Sequence, residues 1–153
     1  MRDRRLSHDW LRHSFEVMDN EKLLRGIFDQ MALGNVRALG DAMAEDFRWV
    51  FPGDWSWSGS WEPKSVVVRE LLRPLMAQFE HYRSEAELII ADGDRVVVQA
   101  KAHATTKKGH SYNQTYCFIF TVENGLLKEL IEHCDTALVE RVLDHPASTA
   151  SII

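Results

Sequence analysis

Lys101, His103, Tyr116 and Glu132 are the side chains of this sequence best suited to chemistry, and all four fall in strand-like runs. A buried carboxyl such as Glu132 can give or take a proton. Tyr116 can donate to an oxygen on which negative charge develops, and His103 titrates near neutral pH. Alternation along "RVVVQAKAHATT" puts Gln99, Lys101, His103 and Thr105 on one face. Val96, Val98, Ala100, Ala102 and Ala104 take the other. A turn at Lys108-Gly109 then sets the polar face beside Tyr112, Gln114, Tyr116 and Phe118, a pocket wall with a few oriented polar groups. The competing reading is a solvated strand face.

Whether Glu132 joins that wall depends on the turn at Asn124-Gly125. A two-residue turn aligns His133 and Asp135 with Tyr116, whereas a three-residue turn with a glycine bulge aligns Glu132. Burial would raise the Glu132 pKa, and a nearby Lys101 would lower it. The plainer alternative is an ion pair between Glu132 and Lys101 across the sheet. For Tyr116 it is a buried hydroxyl bonded to the backbone, and for His103 a surface site. Asp135 suits the cap of a final helix. Asp54 sits in a loop, where aspartates mostly serve turns, but it is also a candidate base.

The stretch "RWVFPGDWSWSGSW" gathers four of the five tryptophans. They could line a pocket, seal the end of a core or form a partner surface.

Other machinery is absent from the sequence. It has no HExxH or CxxC pair, no phosphate loop, no dinucleotide fingerprint and no GxSxG elbow. Cofactor-free chemistry is therefore expected, with no metal. The 153 residues fit one domain, 45% hydrophobic and 27% charged, with net charge -5. That balance argues against nucleic acid, which wants a basic face. No apolar run is long enough to span a bilayer, so a membrane is not expected. The basic start lacks the apolar segment of a secretory signal. Cys117 and Cys134 are too few for a disulfide scaffold and read as buried thiols. A cytoplasmic protein is expected.

The elements that must position these groups follow from periodicity. Leu6, Trp10, Leu11, Phe15 and Met18 make a loose helical stripe, expected as a short extension over residues 1–18. Asp19 and Asn20 can cap a clearer helix bearing Leu23, Leu24, Ile27, Phe28 and Met31, with Gly34 placed for its C-terminal cap. A short helix over about 36–45, a strand over 47–51 and a helix opened by Pro63 follow, with Pro74 kinking or ending the latter. From His81 the period changes to four strands joined by turns at Asp92-Gly93, Lys108-Gly109 and Asn124-Gly125. "TALVERVL" closes the domain, taken as residues 19–145, and a flexible tail is expected over 146–153. This is an α+β order with a mainly antiparallel sheet.

The segments "ALGNVRALGDAMAEDFRWVFPG" and "YNQTYCFIFTVENGLLKELIEHCD", with the closing helix, resemble the nuclear transport factor 2-like superfamily. Within it, the SnoaL-like polyketide cyclases and ketosteroid isomerase-like proteins are most similar. The resemblance runs from about Glu21 to Leu143. It implies a cone-shaped α+β fold, with a curved sheet wrapped on helices, and a homodimer through the sheet. Fold alone does not assign activity. The place of the steroid isomerases' carboxylate base is held by Phe51 beside Pro52. Their oxyanion tyrosine falls near Ile27, and their protonated aspartate near Tyr116. Of the epoxide hydrolases' Asp–Arg–Asp cluster, two places fall on Gln99 and Lys101 and the third on Glu132. Their tyrosine and asparagine fall on Trp49 and Phe51. Neither set survives, although the comparison favours Glu132 over His133 as the inward residue.

The expectation is thus a hydrophobic pocket for a small cyclic molecule, with proton transfer next to a carbonyl giving isomerisation, cyclisation or dehydration. Glu132 would be the acid/base, Tyr116 the carbonyl partner, and Lys101 and His103 would tune them. Trp49, Phe51, Trp55, Gln99, Gln114 and Phe118 would contact the ligand. The resemblance puts Trp49 on the first strand beside Phe47 and Phe51, and Trp55, Trp57 and Trp61 at the mouth as a lid, with Trp61 equally able to seal the core. The rival expectation is a non-catalytic ligand-binding or dimerisation module.

Overall fold

A computed structural model describes residues 5–146 of the chain. The order is α1 (Arg5–Ala32), α2 (Arg37–Asp41), β1 (Met43–Phe51) and β2 (Gly59–Trp61). Then come α3 (Lys64–Val66), a π-helical stretch (Val67–Leu72) and α4 (Arg73–Met76). The chain ends with β3 (Phe79–Asp92), β4 (Arg95–Thr106), β5 (Thr115–Glu123), β6 (Leu126–Cys134) and α5 (Thr136–Val142). One six-stranded sheet has the order β2-β1-β6-β5-β4-β3. Only the β1/β6 pair is parallel. The expected α+β fold is therefore present, and helices cover the inner face of a curved, open sheet.

The first helix is longer than its sequence signals suggest. It runs unbroken through Asp19 and Asn20, which do not cap it. Asn20 instead reaches sideways, its Nδ2 donating to the Gly93 carbonyl at 3.0 Å in the β3–β4 turn. Leu24, Ile27, Phe28 and Met31 recur at helical spacing and are buried, as an amphipathic stripe requires. Phe28 packs on Phe118 and Phe120 of β5, with ring centroids 5.8 and 6.3 Å apart. Nearer the N-terminus, Trp10 and Leu11 are exposed; the side chains of Leu6, Phe15 and Met18 lie outside those described, as does the tail from residue 147. Gly34, with φ of +89°, ends the helix as expected and donates to Met31 O at 3.0 Å.

Pro74 lies in the last α-helical turn of its segment, which ends two residues later at Met76, near the expected place. Val67–Leu72 widens to i→i+5 bonding immediately before it, with the Arg73 N–H on Val68 O. That wider turn accommodates a residue that lacks an N–H and crowds the preceding turn. Helical backbone then continues to Met76. The tryptophan loop contributes the short strand β2, which pairs Trp61 with Trp49 and was not expected from the sequence. At the other end, Asp135 caps α5, its Oδ1 accepting from Leu138 N at 3.2 Å.

Two hairpins decide which side chains face inward. Between β4 and β5, Thr106 N donates to His110 O at 2.9 Å across three residues, with Gly109 in the left-handed region at φ +84°. A two-residue turn at Lys108-Gly109 would pair odd positions with even ones, whereas this turn pairs Val98 with Phe118 and Ala100 with Tyr116. The face that meets the aromatics is the apolar one. Gln99, Lys101 and His103 point outward, opposite to the expectation.

Between β5 and β6 the turn has two residues, Asn124 and Gly125, both with positive φ. Alone it would bring His133 opposite Tyr116. Lys128 is an extra residue, however: Val122 pairs with Leu127 but Thr121 pairs with Glu129. This bulge shifts the register by one and turns Glu132 inward beside Phe118. The expected alignment of Glu132 is present, through a bulge in the strand instead of a longer turn.

Candidate functional site

The inner face of β1, β3, β5 and β6, closed over by α2 and the Lys64–Met76 helical segment, surrounds a cavity of about 600 Å³. Its buried wall is aromatic, with Trp49 and Phe118. Its polar groups on the sheet are Tyr82, Tyr116 and Glu132. Its outer part carries Arg37, Asp41, Lys64 and Arg73, of which Lys64 is half-buried and the rest are exposed. An enclosure mostly apolar, with a few converging polar groups, is the usual form of a small-molecule site.

Glu132 is 7% exposed. Among the described residues its hydrogen-bond partner is Trp49, whose Nε1 donates to Oε2 at 2.9 Å. That bond favours the carboxylate, but burial opposes charge more strongly, and the pKa is pushed from the ordinary 4.5 up to about 8. Glu132 is thus mainly a neutral acid at pH 7. Lys101 has no part in this balance.

The Tyr116 and Tyr82 hydroxyls lie 3.1 Å apart, sharing one hydrogen bond. Burial raises both phenol pKa values, and the Glu132 carboxyl adds to the effect. They remain neutral donors at any physiological pH. Glu132 pairs with Phe118 and Tyr116 with Cys134 in the β5/β6 ladder, so Glu132 and Tyr116 are diagonal neighbours on one face. The Cys134 thiol is pushed up to about 12 by burial and the nearby carboxyl.

Of the expected site residues, Glu132, Tyr116, Trp49 and Phe118 are brought together around the cavity. Lys101 and His103 are not. On the opposite face, Lys101 Nζ holds Glu87 at 2.8 Å and His103 Nε2 meets Glu85 at 2.9 Å. Neither can tune Glu132, and Gln99, exposed on the same face, cannot contact a ligand there.

Gln114 is fully buried but spent on structure. Its amide nitrogen donates to Tyr112 Oη and the Asp135 carbonyl, and its Oε1 accepts from Thr115 N and Asp135 N. It joins β5 to the start of α5 and has no bond left for a ligand.

Phe51 and Trp55 line a smaller recess of about 30 Å³, room for about one water, which adjoins the cavity and shares Tyr82, Tyr116 and Glu132 with it. Trp55 and Trp61 meet Phe51 edge-on, with ring centroids 5.8 and 5.4 Å apart, and Trp57 is buried. These three seal the end of the core; they do not cover the larger cavity. Cys117, expected to be buried, is exposed on the outer face.

Sequence reasoning missed Tyr82 and the cations of the outer part. Tyr82 lies on β3, where a bulge at Glu80 resets the alternation: Phe79 pairs with Thr106, but His81 pairs with Thr105. Arg37, Lys64 and Arg73 sit on short helices whose placement is tertiary, and nothing local marks them. Among the described residues no three His, Cys, Asp or Glu side chains gather as a metal site. No described helix is long and apolar enough to cross a membrane.

Solved structures share this architecture. A protein described as NTF2-like and of unknown function, from Burkholderia pseudomallei K96243, is 22% identical, covering 81% of this chain and 96% of its own, with a TM-score of 0.69. A SnoaL-like polyketide cyclase, so described, from Jannaschia sp. CCS1 is 19% identical over 86% of this chain and 95% of its own, with a TM-score of 0.70. TerC, co-crystallised with polyporic acid, is 19% identical over 81% of this chain and 97% of its own, with a TM-score of 0.67. At these identities the likeness is one of fold. No curated protein gives a significant sequence match. The model of the SnoaL-like domain, however, matches residues 24–130, from the buried stripe of α1 to the middle of β6. The chain belongs to the SnoaL-like domain family.

Proposed function

We propose that this protein binds a small, largely apolar cyclic molecule in the cavity and moves a proton next to its carbonyl group, with isomerisation, cyclisation or dehydration as the outcome. The observation that carries this reading is one buried carboxyl, Glu132, diagonally beside the Tyr82–Tyr116 hydroxyl pair on a cavity wall that is otherwise apolar at its buried end. Neutral phenols donate to an oxygen that gains charge as the proton leaves the adjacent carbon. Glu132, with its pKa near 8, is matched to giving or taking that proton near neutrality. The co-crystallisation of TerC with polyporic acid supports a small-molecule role for this fold.

A non-catalytic binder is the second reading, favoured by Phe51 occupying the place of the isomerases' base. Glu132→Gln separates the two. Ligands found by quenching of Trp49 fluorescence would be assayed for turnover with the parent and the variant. Loss of turnover with retained binding supports the proton-transfer reading. Binding without turnover by the parent protein leaves the binder.

The homodimer implied by the resemblance belongs to this proposal. Val97, Ile119 and Ile131 are direct neighbours across the outer face of β4, β5 and β6, each half-buried. Light scattering that shows a monomer at micromolar concentration would remove it.

A further inference from the structure

The charges of the cavity are divided by depth. Its inner end holds Glu132 and neutral hydroxyls, while its outer end holds Arg37, Lys64 and Arg73 against one carboxylate, Asp41. This cationic excess stands in a chain of net charge -5. On the sheet, Arg48, Lys101 and Lys128 each hold a carboxylate. Among the described residues, Arg37, Lys64 and Arg73 form no such ion pair, and Lys64 Nζ donates only to the Met43 carbonyl, at 3.3 Å.

Two physical constraints then fix the orientation of a ligand. An anion at the inner end would be desolvated beside a group that itself resists charge, which is costly. An anion at the outer end keeps part of its water and meets guanidinium groups suited to bidentate binding. We infer that the ligand is an organic anion: a cyclic acid whose carboxylate is held at the mouth by Arg37, Lys64 and Arg73, with its carbonyl or hydroxyl end inward at Tyr82 and Tyr116. This rests on the reading of the cavity as a ligand site and adds the ligand's charge class and direction of entry.

Two fluorescent dyes with similar apolar frames test it: 8-anilinonaphthalene-1-sulfonate, which carries an anion, and the uncharged N-phenyl-1-naphthylamine. At low ionic strength the anionic dye should bind about tenfold more tightly, the worth of one or two partly exposed ion pairs. The double variant Arg37→Gln/Arg73→Gln should remove this preference and leave the neutral dye unaffected. Salt should weaken only the anionic dye. Equal binding of the two dyes, or a preference that survives the double variant, overturns the inference.

Gly40→Phe keeps that failure distinct from a failure of the cavity reading. Gly40 lines the cavity on helix α2, and a Cβ there meets no atom within 4 Å. The variant, checked for an unchanged melting transition, should obstruct both dyes. If it abolishes two equal affinities, the cavity reading stands and the anion inference falls. If neither dye binds the parent, or Gly40→Phe changes nothing, both fall.

Discussion

The Trp49 indole and the Glu132 carboxyl, on the two parallel strands β1 and β6, are joined by a hydrogen bond of 2.9 Å at the cavity wall. Among the described residues, the charge-favouring contact of this buried acid is therefore also a fluorophore. Raising the pH through about 8 should ionise Glu132 and change Trp49 emission with a midpoint in that region. Glu132→Gln and Trp49→Phe should each remove the transition. A midpoint near the ordinary carboxyl value would show that Glu132 is better hydrated than its surroundings imply.

The same shift makes stability depend on pH. Because the folded pKa is raised from 4.5 to about 8, the folded state holds its proton where the unfolded state has lost it. Stability from this group is full below about pH 4.5 and declines as pH rises towards 8. The decline is roughly 1.4 kcal/mol per pH unit, on the order of 5 kcal/mol across that window. Glu132→Gln keeps an acceptor for Trp49 and should flatten this slope, so that the variant exceeds the parent in stability at pH 8. Urea melts at pH 5 and pH 8 would measure it.

Gln114→Leu should be among the more damaging single changes in the sheet. Thr115 N, Asp135 N and Asp135 O would each lose the partner that Gln114 supplies. Leaving buried backbone groups unpaired costs about 1 to 3 kcal/mol each where water cannot replace the bond. A total loss of roughly 3 kcal/mol is expected, readable as a lowered urea midpoint. Cavity ligands should bind the folded variant as before.

Lys101→Ala and His103→Ala should do almost nothing. Both side chains pair with exposed glutamates on the outer face, and such pairs contribute about 0 to 1 kcal/mol. Neither substitution should move the Trp49 titration midpoint. A shift of a full pH unit in either would contradict the placement of β4.

Much of the fold was legible because it rests on local signals. The spacing of Leu24, Ile27, Phe28 and Met31, the glycines of the turns and the cap at Asp135 each appear in the structure where the sequence puts them. The candidate site was legible only in part, because alternation along a strand fixes which residues share a face but not which face is inside. That choice lay in two hairpins. A three-residue turn at Lys107–Gly109 sent Lys101 and His103 outward. Tyr82 was hidden by the bulge at Glu80, and Arg37 and Arg73 by their dependence on how short helices pack over the cavity. The tryptophan loop read as a lid because clustered indoles suit ligands as well as cores. Phe51, packed between Trp55 and Trp61, turns that cluster into a seal.

The extra residue at Lys128 has a consequence for how the site's chemistry is encoded. Glu132 and His133 are adjacent, and it is by leaving one residue upstream without a partner that β6 admits Glu132 and not His133 to the cavity. Deleting Lys128 would take out the residue that has no partner, so Thr121 would still face Glu129, Phe118 would still face Glu132, and the carboxyl would stay inward. The Trp49 signal of that deletion variant should then keep its midpoint near 8. The unpaired codon is therefore slack in the hairpin, and its loss leaves the proton carrier of the site in place.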